Sequence, residues 1–181
     1  RINSQDFKMR SVMHHLGFYF AECSQLVYKT KIQGFIKQKL PKLKLEKIKE
    51  SDVDFIKNMV SESFNYSRFH EDANIPQKLS RKRYYNWIEV LIKENAMIQV
   101  AKVGDKIVGV NIQLTDLVTL QSKLILTGCS IGHEFYALSL WNEIISYNKE
   151  LGIRKLETMI SASNIGVANI YSYFGFKVEE T

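Results

Sequence analysis

The sequence predicts an α/β fold, a mixed sheet covered by helices, and three observations carry that expectation. Two stretches with apolar residues at helical spacing, Phe55 to Phe64 and Tyr84 to Leu91, precede a strand, turn and strand pattern centred on Gly104-Asp105. A further helical stretch from Tyr136 to Leu151 and several short apolar strands then give the order strand, helix, helix, three strands, helix, strand, helix, strand. The chain has 181 residues, of which 45% are hydrophobic and 12% aromatic. A domain of this size buries roughly 70% of its unfolded surface, so its core needs neither disulfides nor a structural metal.

The elements follow in order. Ser4 to Leu16 carries Phe7, Val12, Met13 and Leu16 and reads as a loose helix that Gly17 can close. Phe18 to Lys29 reads as a strand, and the first plausible boundary lies near Pro41. Leu43, Leu45 and Ile48 suggest another strand. Ser51-Asp52-Val53-Asp54 is a variant of the capping box, so a helix should start there. Phe55, Ile56, Met59, Val60 and Phe64 form its apolar face, with Lys57, Asn58 and Glu62 toward solvent. A polar segment from Asn65 to Ser80 leads into a second helix from about Lys82 to Glu94.

Met97 to Val103 and Lys106 to Gln113 flank the Gly-Asp turn as a hairpin, and Lys123 to Thr127 is a further strand. Leu140, Trp141, Ile144, Ile145 and Tyr147 are core candidates of the next helix, which Gly152 would end. Leu156 to Ile160 is a strand, Gly166 to Phe174 a short helix, and Phe176 to Glu179 starts a last strand.

Charge and composition exclude several classes of function. The net charge is +6, but the lysines at 29, 31, 37, 39, 42, 44, 47 and 49 are largely interleaved with apolar residues, as on a solvated strand face. That stretch brings neither the arginines nor the exposed aromatics of a nucleic-acid patch, so no nucleic-acid partner is expected. Excess positive charge would also suit an anionic ligand. Cys23 and Cys129 fit no metal spacing, so no metal is expected, and they suggest a reducing compartment. No apolar run approaches the roughly 20 residues of a membrane helix, and no leader opens the chain. A cytoplasmic protein is therefore expected. Because the sequence begins at Arg1, it is expected to lack its own start.

Asn164-Ile165-Gly166-Val167-Ala168-Asn169-Ile170-Tyr171-Ser172-Tyr173-Phe174-Gly175-Phe176 resembles the closing motif of the GCN5-related N-acetyltransferase (GNAT) family: an Asn ends a strand and, seven residues on, a Tyr precedes a Gly-Phe pair. With the capped helix, the hairpin and the helix after Thr127, the resemblance covers most of Leu43 to Glu179. It implies a GNAT domain over 42–181, with a mostly antiparallel mixed sheet flanked by helices. Ser67-Arg68-Phe69-His70-Glu71-Asp72 and Tyr85-Asn86-Trp87-Ile88 look like a segment of bacterial sugar-nucleotide N-acetyltransferases of the dTDP-fucosamine type. Leu16-Gly17-Phe18-Tyr19-Phe20-Ala21-Glu22 is similar to the end of that type's N-terminal part, which makes 1–41 the remnant of an N-terminal α/β subdomain. The family's pyrophosphate loop falls on Gly132, Phe135 and Ala137, and only Ala137 matches. The family also adds a strand beyond Phe176, so that strand is expected from a neighbour or from a longer chain.

The resemblance implies acetyl-coenzyme A as donor and direct attack by an amine. A backbone N–H among Thr127, Gly128 and Cys129 would hold the carbonyl oxygen, and Tyr171 would be the general acid beside the cofactor sulfur. Asn164 would bond the pantetheine arm or hold the turn; its plain alternative is a turn former. The amides of Phe135, Tyr136 and Ala137, with His133 nearby, are the candidate phosphate contacts. Arg68, His70 and Asp72, with Glu71, border the acceptor site by resemblance, where a carboxylate could orient the amine and an arginine could meet a phosphate; their bland reading is a solvated loop. His14 and His15 carry no chemistry, and Cys129 reads as inert packing.

The acceptor expected is a small amine, an amino sugar linked to a nucleotide if the second resemblance holds. A protein amino terminus or a polyamine is the alternative within the enzyme class. A catalytically silent binding module is the alternative outside it, and a homodimer is one arrangement left open. No membrane partner is expected.

Overall fold

The computed structural model describes residues 2–180. Its elements are α1 (Phe7–His15), β1 (Ser24–Lys29), β2 (Lys44–Lys47), α2 (Val53–Ser63), α3 (Arg68–Glu71), α4 (Gln77–Lys93), β3 (Met97–Val103), β4 (Lys106–Asp116), β5 (Gln121–Cys129), α5 (Ala137–Glu150), β6 (Lys155–Ser161), α6 (Ile165–Tyr173) and β7 (Lys177–Glu180). The strands form one sheet in the order β2-β3-β4-β5-β6-β1-β7. Only β5 and β6 run parallel; every other pair is antiparallel.

Helices cover both faces. On one, Ile56, Met59 and Val60 of α2 and Tyr84, Ile88 and Leu91 of α4 pack on Ile98, Val100, Val110, Ile112 and Leu126. On the other, Leu140, Trp141, Ile144 and Ile145 of α5 and Tyr171 of α6, with Phe174 just after it, pack on Val27, Ala101, Val108, Leu124, Leu156 and Ile160. Each fully buried aliphatic side chain contributes about 1.5–3 kcal/mol. The second half of α5 ends where Gly152, at φ +78°, lets Gly152 N–H reach Lys149 O and Ile153 N–H reach Asn148 O.

The front of the chain belongs to this sheet. Leu26 pairs with Met159 on one side and β7 lies on the other, while Ile32 is fully buried in the α5 core. A break in composition near Pro41 thus divides the sequence without dividing the sheet. Regular strand within the expected Phe18 to Lys29 begins only at Ser24.

The lysine-rich stretch is a strand face only in part: Lys29 ends β1 and Lys44 and Lys47 are exposed on β2, whereas residues 30–43 are largely irregular apart from one turn at Ile32–Gly34. Lys29 Nζ donates to Phe174 O at 2.7 Å, at the end of α6, and burial lowers its pKa.

Three local expectations are corrected by tertiary partners. Lys57 does not face solvent; it is 6% exposed, pairs with Glu89 of α4 at 2.5 Å and lies over the Tyr85 ring. Ser51 does not cap α2: a turn at Glu50–Asp52 precedes the helix, and Asp52 accepts from Lys49 N–H. The second helix starts at Gln77, directly after Pro76, and the polar segment before it holds α3. Proline preceding the first turn loses no helical hydrogen bond.

Candidate functional site

β5 and β6 pair over only four residues, Gln121 to Leu124 with Lys155 to Thr158, and then part. The cause lies in β5. The register with β4 passes from Gln113↔Leu124 to Ile112↔Leu126, so Ile125 is an extra residue, a β-bulge. The bulge flips the alternation of side chains, placing Leu124 against α5 but Leu126 against α2 and α4. Beyond it, β5 ladders with β4 and β6 with β1, leaving a wedge-shaped cleft between them.

Backbone direction at the cleft follows from pairing. Ser130 N–H donates to Val108 O at 2.9 Å, so by two-residue alternation the polar groups of Gly128 turn to β4 while those of Thr127 and Cys129 turn to the cleft. The expected carbonyl-holding donors thus narrow to Thr127 and Cys129. Gly128 serves differently: a Cβ there would meet Phe64 Cζ at 3.0 Å, so the absent side chain lets that ring lie on the strand. The Thr127 hydroxyl donates to Asn111 Oδ1 at 2.8 Å, the first link of a buried network through Gln99, Gln113, Ser122 and Asn148.

At the cleft root, Thr158 Oγ1 donates to Leu124 O at 2.9 Å. Tyr171 is adjacent, 4% exposed, its ring edge-on to Trp141 and Phe176. Burial pushes its phenol up to about 12, while Thr158 and Trp141 pull the other way. The Cys129 thiol is also pushed up to about 12 by burial, with Glu134 adding to the effect, so it is no nucleophile at neutral pH. Asn164 caps α6, its Oδ1 accepting from Val167 N–H at 3.2 Å.

The loop before α5 is engaged with itself. Gly132 N–H donates to the Glu134 carboxylate at 2.9 Å, and this bond, together with one to Glu134's own amide, lowers the Glu134 pKa. Tyr136 N–H reaches His133 O and Ala137 N–H reaches Glu134 O, so of the three amides expected to meet phosphate only that of Phe135 is outside these turn bonds. The Phe135 side chain is 68% exposed and stacks on Tyr136 at 3.9 Å, and His133 Nδ1 is 3.0 Å from Ser130 Oγ.

On the opposite side of the cleft, α3 brings the remaining candidates. Arg68 N–H donates to Glu22, and Asp72 accepts the Tyr19 hydroxyl at 2.8 Å. His70 is turned inward: Nδ1 is 3.0 Å from Ser67 Oγ, the ring packs on Tyr84, and Nε2 is buried without a partner among the described residues. Burial, then Arg81 and Arg83, lower its pKa, so it is neutral at pH 7.

Glu71 reaches farthest. Its Oε1 accepts from Ser161 Oγ at 2.6 Å and Ser163 Oγ at 2.7 Å, tying α3 to the end of β6 at the cleft mouth. The two serines, Trp141, Thr158 and Phe64 were not among the expected site residues; Ser161 and Ser163 stand just before Asn164, the one signal that pointed there. Next to α3 lies a cavity of about 990 Å³ whose lining includes Arg10, Phe18, Tyr19, Phe20, Arg68 and Met159. Among the described residues, no group of three His, Cys, Asp or Glu side chains could hold a metal ion, and no helix is long and apolar enough to cross a membrane.

No family model and no curated protein matches the sequence. Solved structures do match. A GCN5-related N-acetyltransferase from Sphaerobacter thermophilus superposes with TM-score 0.69 at 17% identity, over 99% of this chain and 55% of that one. A PaiA N-acetyltransferase from Thermoplasma acidophilum, solved with coenzyme A, gives 0.55 at 20% identity over 78% and 93% of the two chains. Spermidine N-acetyltransferase from Vibrio cholerae, solved with coenzyme A and spermine, gives 0.55 at 16% over 74% and 79%. The fold is therefore that of the GNAT acyltransferases, and this chain spans little more than half the length of the Sphaerobacter protein.

Proposed function

We propose that this chain is an acetyl-coenzyme A-dependent N-acetyltransferase acting on a small primary amine, with an amino sugar linked to a nucleotide as the acceptor. The parting of β5 and β6 at the Ile125 bulge carries the reading, because it turns backbone donors of a rigid strand toward the gap that opens between the two strands, where an extended thioester arm could pair with them. The fit differs between the two ends of the groove. Thr127, Cys129 and the Tyr171 hydroxyl suit a thioester at the root. The amides of Gly132 and Glu134 suit a phosphate only once the Glu134 carboxylate has left them.

An acetyl thioester supplies the acyl group and a thiolate leaving group. The chain's part is positional. Amides of Thr127 and Cys129, fixed by the β4 ladder, stabilise negative charge on the carbonyl oxygen as the amine nitrogen bonds to carbon. The new C–N bond forms, the C–S bond breaks, the amine's surplus proton passes to solvent, and Tyr171 donates its proton toward the sulfur and is reprotonated from solvent. Glu71, anchored by Ser161 and Ser163, stands at the mouth where the amine enters.

The aromatic and arginine lining of the neighbouring cavity supports the nucleotide-linked acceptor: bases stack on aromatic rings and phosphates pair with guanidinium groups. The cationic alternative, a polyamine, draws on Glu22, Glu71 and Asp72 around the same entrance. A binding module without turnover draws on Glu134, whose carboxylate already occupies the loop amides.

The test is calorimetric titration with acetyl-coenzyme A, followed by thiol release with amino-sugar nucleotides, spermidine and an amino-terminal peptide, for the wild type and Tyr171→Phe. Micromolar binding with turnover on the sugar nucleotide, and a sharp loss of kcat in the variant, is the expected result. Absence of binding at millimolar cofactor sinks the enzyme reading.

A further inference from the structure

Glu71 has hydrogen-bonding capacity that the anchoring of α3 does not use. Ser161 and Ser163 each donate a single hydroxyl proton to its Oε1, at 2.6 and 2.7 Å, and their own oxygens stand 2.8 Å apart. A serine hydroxyl has one proton and two lone pairs, and an ionised carboxylate only accepts. With both protons committed, the group has no hydroxyl donor left to offer. Ser163 N–H adds a further donor to Ser161 Oγ at 3.3 Å, inside the same cluster. What remains on the outside is acceptor only: the lone pairs of the exposed Ser163 and Glu71 Oε2, which takes no hydrogen bond among the described residues. The other carboxylates at this entrance are already engaged, Asp72 with the Tyr19 hydroxyl and Asn74 N–H and Glu22 with Arg68 N–H.

Strand register places this group across from the carbonyl-holding amides. Leu124 and Thr158 are the last pair that β5 and β6 share. Ser161 lies three residues beyond Thr158 and Thr127 three beyond Leu124, so the two stand at similar height on opposite sides of the cleft, about 10 Å from its root. Ile160 packs on the α5 side, so its neighbour Ser161 turns to the other face of the sheet, where it meets Glu71 of α3.

We propose that Glu71, held by Ser161 and Ser163, is the residue that selects the acceptor: it binds the amine as a primary ammonium, whose N–H groups donate to Glu71 Oε2 and the Ser163 oxygen. The inference rests on the acetyl-transfer reading and adds to it the group that reads the amine, whether a sugar, a polyamine or a peptide carries that amine. A primary ammonium has three donors and no acceptor, the complement of a group with acceptors and no donor. Hydrogen bonds between ionised partners are also about twice as strong as neutral ones. An alcohol of the same shape lacks the charge, and a quaternary ammonium lacks the donors, so both are rejected. Binding precedes the chemistry: one ammonium proton leaves to solvent and frees the lone pair with which the neutral amine attacks.

Amide NMR of nitrogen-labelled protein, without acetyl-coenzyme A, tests the ammonium site, with methylammonium chloride as the probe and tetramethylammonium chloride as the control for charge without donors. Ser163 N–H, bonded to Ser161 Oγ, is the reporter. Its signal is expected to shift with millimolar methylammonium, to stay in place with tetramethylammonium, and to lose the response in Glu71→Gln, which keeps the shape of an exposed side chain and removes its charge. In turnover with amino-sugar nucleotides, spermidine and an amino-terminal peptide, the highest kcat/KM identifies which source supplies the amine. For that acceptor Glu71→Gln is expected to raise KM about tenfold, the worth of one hydrogen bond to a charged group, with KM for acetyl-coenzyme A unchanged; Ser163→Ala should raise the same constant by less. An unmoved Ser163 signal, equal responses to the two cations, or a Glu71→Gln enzyme with wild-type KM for the amine overturns the inference and leaves acetyl transfer standing. A wild type that neither binds nor turns over acetyl-coenzyme A removes acetyl transfer instead, and the comparison of the two cations still decides the ammonium site.

Discussion

Raising the pH should expose the cost of keeping a thiol at the cleft edge. Cys129 titrates near 9.0 when unfolded and near 12 in the fold. The folded state therefore holds the proton longer, so the stabilising contribution is complete below about pH 9 and drains away as pH climbs toward 12. At about 1.4 kcal/mol per unit, the loss between about pH 7.5 and 10.5 comes to about 2 kcal/mol from Cys129. Tyr171, shifted from 10.0 to about 12, adds about 1 kcal/mol over the same interval with the same sign. With a urea slope of about 2 kcal/mol/M, the Cys129 part alone lowers the unfolding midpoint by about 1 M. Urea unfolding followed by circular dichroism at both pH values, for wild type and Cys129→Ala, isolates it, because all other titrations are shared. The variant should lose about 2 kcal/mol less on going to high pH, whatever its stability at neutral pH. Superimposable pH dependences for the two proteins would refute the claim that this thiol stays protonated beside the cleft.

Asn111→Leu keeps the volume but strands Gln99, Gln113 and Thr127, whose side chains bond to Asn111 at 3.0, 3.0 and 2.8 Å; a loss of about 3 kcal/mol in urea unfolding is expected. At Gly109, a Cβ would stand 2.8 Å from Gly128 O, which is backbone and cannot yield. Gly109→Ala should cost about 1–3 kcal/mol, whereas Gly128→Ala, opposed only by the Phe64 ring, should cost less than about 1 kcal/mol by thermal denaturation. Glu134→Gln removes the negative charge from the loop amides and should tighten acetyl-coenzyme A binding severalfold in calorimetry; weaker binding would mean that the carboxylate supports the loop rather than competing for it.

Local periodicity made much of the fold legible. The helices carrying Ile56, Met59 and Val60 or Leu140, Trp141 and Ile144 have one apolar stripe each, and the Gly104-Asp105 turn sets its own hairpin register. Spacing alone turns Lys57 toward solvent because the partner that draws it inward, Glu89, sits on another helix, and sequence spacing carries no trace of that pairing. The start of α4 is not legible for a related reason: Gln77 to Arg81 is mostly polar, with Leu79 exposed, and offers no period to detect.

In the site, Tyr171 and Asn164 stand out through their spacing; the structure buries Tyr171 beside Trp141 and Phe176 and makes Asn164 the cap of α6. The Ile125 bulge that opens the cleft has no side-chain signature, and its effect depends on how β4 pairs. Glu71 looked like its neighbours until Ser161 and Ser163, about ninety residues away, set it apart.

The place of β1 in the sheet bears on how the chain can be made. Leu26 and Met159 are partners across more than a hundred residues, so β1, once synthesised, must wait until all the intervening residues have emerged before β6 exists to receive it. Contacts of such span are slow to form because their loop-closure entropy comes due before any pairing is gained. Until then β6 and the front strand are both open edges, prone to pair with another chain. Aggregation during expression should therefore respond to cooling and slower translation more than folded-state stability alone suggests, and closure of β1 onto β6 should be the late step of folding.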